Sequence, residues 1–238
     1  MKLTILQVGE TPQPLRDRYA RFDQFFERMF SATGHGFTFD SVPVIDGAPL
    51  PDPDEVEGVV VTGSAMGVYG ETEWMDPLKD FIRSAYARNT PMMGVCFGHQ
   101  VIADALGGDV RKSEKGWGIG RHAYRVDGKH AALNGLGETI AIAASHQDQV
   151  LAPPDGATVF LSSDFTPNAG IVYGNGTTIS VQPHPEFEPD FAKALVELRR
   201  GNPLPDDVVD ERIASLDAPV DNGKLAEALA RFLLTART

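Results

Sequence analysis

The stretch Pro91-Met92-Met93-Gly94-Val95-Cys96-Phe97-Gly98-His99-Gln100 constrains this chain more than any other. It opens on a short apolar run that reads as a buried strand. It continues into Val101-Ile102-Ala103-Asp104-Ala105-Leu106, which reads as a helix closed by Gly107-Gly108. A residue at such a strand-to-helix elbow projects its side chain at the C-terminal edge of a sheet. Here that residue is Cys96, the only cysteine in 238 residues. The amides of the first helical turn and the helix macrodipole favour negative charge at this point, which stabilises a thiolate. Gly94 and Gly98 stand two residues to either side, where a sharp turn leaves little room for side chains. Most free cysteines are small core residues, so the elbow alone leaves both a core and a nucleophile reading open.

Around the elbow, strands and helices alternate. Residues 1–8 read as a first strand. Leu15, Tyr19, Phe22, Phe25, Phe26 and Met29 then recur at helical spacing, giving an amphipathic helix with an aromatic inner face. Residues 37–44 and 58–61 read as two further strands, and 75–87 as a helix whose start suits Asp76 and Pro77. Residues 119–126, 139–144, 158–161, 171–173 and 177–181 are β-prone. This order implies an α/β protein with a mostly parallel central sheet, helices on both faces and hairpins along one edge. The carboxyl ends of the parallel strands are the expected place for a site, and the elbow lies there. After residue 187, Phe191, Leu195 and Leu198, then Leu225, Leu229, Phe232 and Leu233, predict a tail of two or three helices. Asn202-Pro203-Leu204-Pro205 breaks it. The expected division is one domain over residues 1–190, with a helical extension, 191–238, packed on it.

A second segment supplies a partner for the cysteine. Val181-Gln182-Pro183-His184-Pro185-Glu186-Phe187 follows a β-prone run, so it lies where a late strand ends. The two prolines forbid a helix and predict an extended, stiff stretch around His184. Thiol chemistry needs a base that takes the sulfhydryl proton and returns it to a leaving amine, and imidazole titrates in the range for both. The imidazole must itself be oriented, usually by a carboxylate on its far nitrogen. In an extended chain Glu186 points to the same side as His184.

Composition narrows the classes. With 238 residues and 42% apolar content, one large core is feasible without staples or metal. A single cysteine excludes an internal disulfide framework. The N-terminal run is too short and polar for a signal segment, and no window approaches the uninterrupted apolar span of a membrane helix. A net charge of −12 argues against a nucleic-acid partner. Cytoplasm is the expected compartment. His35, His122 and His130 lie in unrelated contexts with no metal-ligand spacing, and no phosphate-binding glycine loop precedes a lysine, so neither metal nor cofactor is expected.

Gly94-Val95-Cys96-Phe97-Gly98-His99-Gln100 resembles the G-x-C-x-G-x-Q nucleophile motif of class I, triad-type glutamine amidotransferases. Gln182-Pro183-His184-Pro185-Glu186 resembles the histidine–glutamate motif that closes the same domain. Between them, Ser145-His146-Gln147-Asp148-Gln149-Val150 is similar to the S-H-x-D-x-V stretch of the GMP-synthase-like branch. The resemblance covers about residues 1–190 and implies a flavodoxin-like fold without a cofactor. It implies Cys96 as nucleophile, His184 as general base and acid, and Glu186 as its orienting partner. Gln100 would help hold the glutamyl end, and Ser145, His146, Gln147 and Asp148 would contact the α-amino and α-carboxylate groups. His99, one helical turn along, reads as structural. Gly116-Trp117-Gly118-Ile119-Gly120 resembles a stretch near the site of stand-alone members, and reads equally as a packed turn.

One loop departs from the pattern. Family members commonly carry Gly-Gly-Pro after an early strand, where a backbone amide helps form the oxyanion hole. Here Gly63-Ser64-Ala65 follows Val59-Val60-Val61, so Gly63 and Ser64 become the candidate donors beside the amide of Phe97. A residue with a Cβ at position 64 predicts a stiffer loop than glycine would. Three functions fit. The first is a glutaminase-type amidotransferase that releases the γ-amide nitrogen of glutamine through a γ-glutamyl thioester, and passes it to a separate synthase or acceptor subunit. The second is a stand-alone γ-glutamyl peptide hydrolase. The third is a catalytically quiet regulatory or binding protein on the same fold.

Overall fold

The computed structural model describes residues 1–127 and 130–236. In chain order its regular elements are β1 (Lys2–Leu6), α1 (Phe22–Ala32), β2 (Thr38–Val42), β3 (Val59–Val61), α2 (Met75–Ala87), β4 (Met92–Val95), α3 (Phe97–Ala105), β5 (Asp109–Lys112), β6 (Gly118–Val126), β7 (Thr139–His146), β8 (Asp148–Ala152), β9 (Thr158–Ser162), β10 (Gly170–Val172), β11 (Thr178–Val181), α4 (Pro189–Glu197), α5 (Asp206–Ser215) and α6 (Asn222–Thr235). The main sheet runs β2-β1-β3-β4-β11-β10-β9-β6-β7. It is parallel from β2 through β11 and antiparallel from β11 to β7. The mostly parallel α/β sheet with hairpins along one side is therefore present.

The pleat sends alternate side chains of the central strands to two cores. Leu3, Ile5, Val60, Met93 and Val95 join Phe26, Phe30, Leu229 and Phe232 under α1 and α6. Leu6, Val59, Val61 and Met92 join Leu78, Ile82, Val101 and Ile102 under α2 and α3. Helices thus cover both faces. A third cluster gathers Phe22, Phe25, Phe187, Phe191 and Leu195, tying α1 to α4 directly behind the end of β11. No helix among the described residues is long and apolar enough to cross a membrane.

Several boundaries differ from expectation. Helix α1 starts at Phe22, while Leu15 belongs to a separate 3-10 turn, Gln13–Leu15, that follows Pro12. The helical spacing of the apolar residues there reflects common burial of Leu15, Phe22 and Phe25 in one cluster, on two pieces of backbone. Strand β2 ends at Val42 because Pro43 has no N–H to extend the ladder. The short β5–β8 pair escapes periodicity altogether, since one residue of β5 is buried and the rest are partly or fully exposed. The tail forms three helices, broken by the proline segment as expected, with a cis Asn202–Pro203 bond.

Candidate active site

The elbow is built by close backbone approach. A Cβ on Gly94 would lie 2.4 Å from the Gly98 carbonyl oxygen, and one on Gly98 would lie 2.1 Å from that of Val61. Only glycine lets β4, α3 and β3 come this near. Between the two glycines Cys96 adopts φ 54° and ψ −103°, one of two non-glycine residues with positive φ among those described. Its amide donates to Val181 O (2.9 Å), and its carbonyl accepts from Gln100 N (3.0 Å). These bonds on both sides hold a conformation that an L-residue seldom adopts. The thiol is left at the sheet's C-terminal edge, 6% exposed, with Sγ 3.9 Å from Ser145 O.

Strand β11 runs beside β4, so the segment that follows it arrives next to the elbow. His184 is 3% exposed, and its Nδ1 lies 2.7 Å from Glu186 Oε1. The expected extended stretch is corrected here. Residues 184–187 form a turn closed by Phe187 N donating to His184 O (3.3 Å), with Pro185 at the position a turn favours. The turn, rather than strand alternation, brings the carboxylate back to the ring. Phe187 stacks on the imidazole at 4.0 Å and 5°, and Phe22, Phe25 and Phe191 pack against Phe187. The aromatic face of α1 thus buttresses the histidine.

Burial works against a charged imidazole, but the Glu186 carboxylate and Cys96 outweigh it and raise His184 to about 10. Glu186 on one side and Cys96 on the other therefore favour imidazolium. Gly63 closes the third side: a Cβ there would sit 3.3 Å from His184 Cε1 and 3.8 Å from Cys96 Cβ. The Phe97 amide, first in α3, has no intrahelical acceptor by the geometry of any helix start, and it adjoins Cys96 in the chain. Ser64 Oγ accepts from Met66 N (3.2 Å), which fixes the loop after Gly63.

A pocket of about 320 Å³ opens over Cys96, and Ser64, Gln100, Ser145, His146, Gln147 and Asp148 line it. Gln100 Nε2 donates to Asp148 O (2.9 Å) and Gln182 Oε1 (3.1 Å), so its amide braces the loop as well as facing the pocket. The His146 ring is buried, with Nδ1 3.1 Å from Asp148 O, and loss of water pulls it down to about 3. It is a neutral wall. His99 is fully buried 2.7 Å from Ser180 Oγ and is likewise pulled down to about 3 by burial, which fits a structural place.

Three further groups join the pocket: Trp117, from the glycine-rich stretch 116–120 that resembles one near the site of stand-alone members, and Tyr69 and Arg199, which carried no sequence signal. The Tyr69 hydroxyl faces the Asp148 carboxylate from the loop after β3. Trp117 lines the wall, and Arg199, from the turn after α4, stacks over its ring at 4.3 Å. An arginine just past a helix end carries no local pattern, so only the packing of α4 against β7 reveals it.

The chain and its fold have known counterparts. The family model described as glutamine amidotransferase class-I matches residues 15–197. One subunit of a glutamine-hydrolysing GMP synthase from Sulfolobus acidocaldarius is 34% identical over 56% of this chain and 69% of its own length. Gamma-glutamyl peptidase 5 of Arabidopsis thaliana is 25% identical over 94% of this chain and 91% of its own. Among solved structures, a glutamine amidotransferase from Thermotoga maritima superposes with a TM-score of 0.74 at 20% identity, covering 99% of this chain and 97% of that one. At that identity the last comparison speaks to fold alone.

Proposed function

This chain belongs to the class I glutamine amidotransferase family, and on that premise we propose that it is a cysteine hydrolase of γ-glutamyl amide bonds, with glutamine the leading substrate. The observation that carries the reading is the convergence of Cys96 on its strained elbow with His184, whose far nitrogen is held by Glu186 at 2.7 Å. Cys96 attacks the γ-carboxamide carbon as thiolate. The oxyanion gathers hydrogen bonds from the Phe97 amide and the Gly63–Ser64 loop. Imidazolium at His184 gives its proton to the leaving nitrogen, the C–N bond breaks, and a γ-glutamyl thioester remains. Water, deprotonated by His184, then releases glutamate and restores the thiol. Gln100, Ser145, His146, Gln147 and Asp148 are the residues that would hold the glutamyl end. As an amidotransferase the chain would hand its ammonia to a separate synthase or acceptor subunit.

A second reading, hydrolysis of γ-glutamyl peptides, draws support from the relative named a gamma-glutamyl peptidase, which aligns along nearly the whole chain. Met66 and Tyr69, exposed on the pocket lip, give a larger leaving group an apolar surface. Steady-state glutamate release from glutamine and from γ-glutamyl dipeptides, for wild type and Cys96→Ser, tests both readings. Release that vanishes in the variant supports the proposal. No release from either substrate, or undiminished release from Cys96→Ser, overturns it.

A further inference from the structure

Two neighbouring arginines follow α4, and they are treated oppositely. Arg200 lies among carboxylates: Glu197 at 2.6 Å, Asp210 at 2.7 Å and Asp206 at 3.9 Å. Arg199 has no carboxylate partner among the described residues, although the chain carries 33 acidic residues against 21 basic ones. Its guanidinium is nonetheless firmly set. Nη1 donates to Leu195 O (2.7 Å), Nη2 donates to Ser145 Oγ (3.0 Å), and the plane stacks on Trp117 at 4.3 Å. Burial disfavours its charge, and the negative field of Cys96 counters that.

A partly buried cation with neutral hydrogen-bond partners and no carboxylate beside it is only partly compensated, a state that ordinary folding would avoid. Two neutral acceptors and an aromatic face orient the fork without neutralising it, so donors remain for an anion entering the pocket. That pocket is the one over Cys96, and it also holds Asp148, a carboxylate of opposite sign. The pair matches a substrate carrying both an ammonium and a carboxylate.

We propose that Arg199, supplied by the C-terminal helices, binds a carboxylate of the substrate and thereby selects carboxylate-bearing γ-glutamyl compounds over their neutral analogues. The inference rests on the hydrolase reading above for its site, and it adds the residue that reads substrate charge. The carboxylate could be the α-carboxylate of the glutamyl unit or the terminal carboxylate of a leaving amino acid. Both offer a planar anion to a planar fork.

The test compares kcat/KM for glutamine, glutamine α-amide, γ-glutamylglycine and γ-glutamylglycine amide in wild type, Arg199→Gln and Arg199→Lys. One charge-assisted contact corresponds to roughly a 10- to 100-fold preference. Wild type should prefer the carboxylate form by that factor in one of the two pairs, and the affected pair identifies which carboxylate is read. Arg199→Gln should abolish the preference, chiefly through KM, and Arg199→Lys should restore part of it. A preference that survives in Arg199→Gln overturns the proposal. So does an equal loss on charged and neutral substrates, since that would place the cation's effect on Cys96 itself. Calorimetric binding of glutamine and γ-glutamylglycine to Cys96→Ser, with and without Arg199→Gln, separates the two readings. Arg199-dependent binding without wild-type turnover would sink the hydrolase reading and leave this one standing. Absence of Arg199-dependent binding would sink this one.

Discussion

His184 Nδ1 and Glu186 Oε1 stand 2.7 Å apart across a single tight turn, both almost fully buried. The pair is local in sequence but sits at the end of β11, against the elbow that carries Cys96. Its geometry sets what each partner's loss should do.

Glu186→Gln keeps the shape of the turn and removes the charge that raises the proton affinity of His184. If the proposed mechanism holds, kcat should fall by about 10²–10⁴, as for loss of the orienting carboxylate in catalytic triads. The alkaline limb of the pH–rate profile should move to lower pH, because the imidazolium loses its proton more readily. An unchanged limb in stopped-assay profiles from about pH 6 to about pH 10 would mean Glu186 does not govern His184.

Gly63→Ala places a methyl 3.3 Å from His184 Cε1 and 3.8 Å from Cys96 Cβ. Displacing the imidazole by a fraction of an ångström should lower kcat by about 10-fold or more with little change in Tm, since such sites are sensitive to small misplacement. Wild-type kcat in the variant, measured beside its melting curve, would show that this wall does not position the ring.

Gly98→Ala should act on stability. Its Cβ would lie 2.1 Å from a β3 carbonyl oxygen, and backbone cannot give way as a flexible side chain can. Denaturant unfolding should show a loss of at least about 2 kcal/mol, the scale of overpacking in a filled core. A loss under about 0.5 kcal/mol would imply that the elbow relaxes more easily than its close packing indicates.

His99 and His146 are both pulled down to about 3 by burial, well below the range of a free imidazole. Between about pH 6.5 and about 3 the unfolded chain therefore binds protons that the native one refuses, and stability falls as pH falls through that window. Each contributes a slope of at most about 1.4 kcal/mol per pH unit. His99→Asn should flatten the slope of stability against pH by up to that amount, as read from urea unfolding at a series of pH values. A slope identical to wild type would contradict the buried neutral assignment.

The alternation of strands and helices, the elbow at Cys96 and the coverage of both sheet faces were legible in the chain itself. Apolar spacing and turn residues act over a few positions, so each element announces itself locally. The same locality explains the errors. Leu15 matched the rhythm of α1 because it shares a core with Phe22, although it ends a 3-10 turn and the non-helical residues 16–21 separate it from α1. The prolines around His184 indicated a stiff segment but could not distinguish an extended one from the turn that returns Glu186 to the ring.

What the sequence by itself determined is the set of local devices: which residues turn, which face a core, and which segments carry thiol, imidazole and carboxylate. Strand order decided the rest. Placing β11 between β4 and β10 sets His184 beside Cys96, and packing α4 against β7 delivers Arg199 to the pocket over residues 145–148. No periodicity encodes such meetings, because they depend on how separate elements pack across a sheet, and that packing exists only once the whole chain has folded.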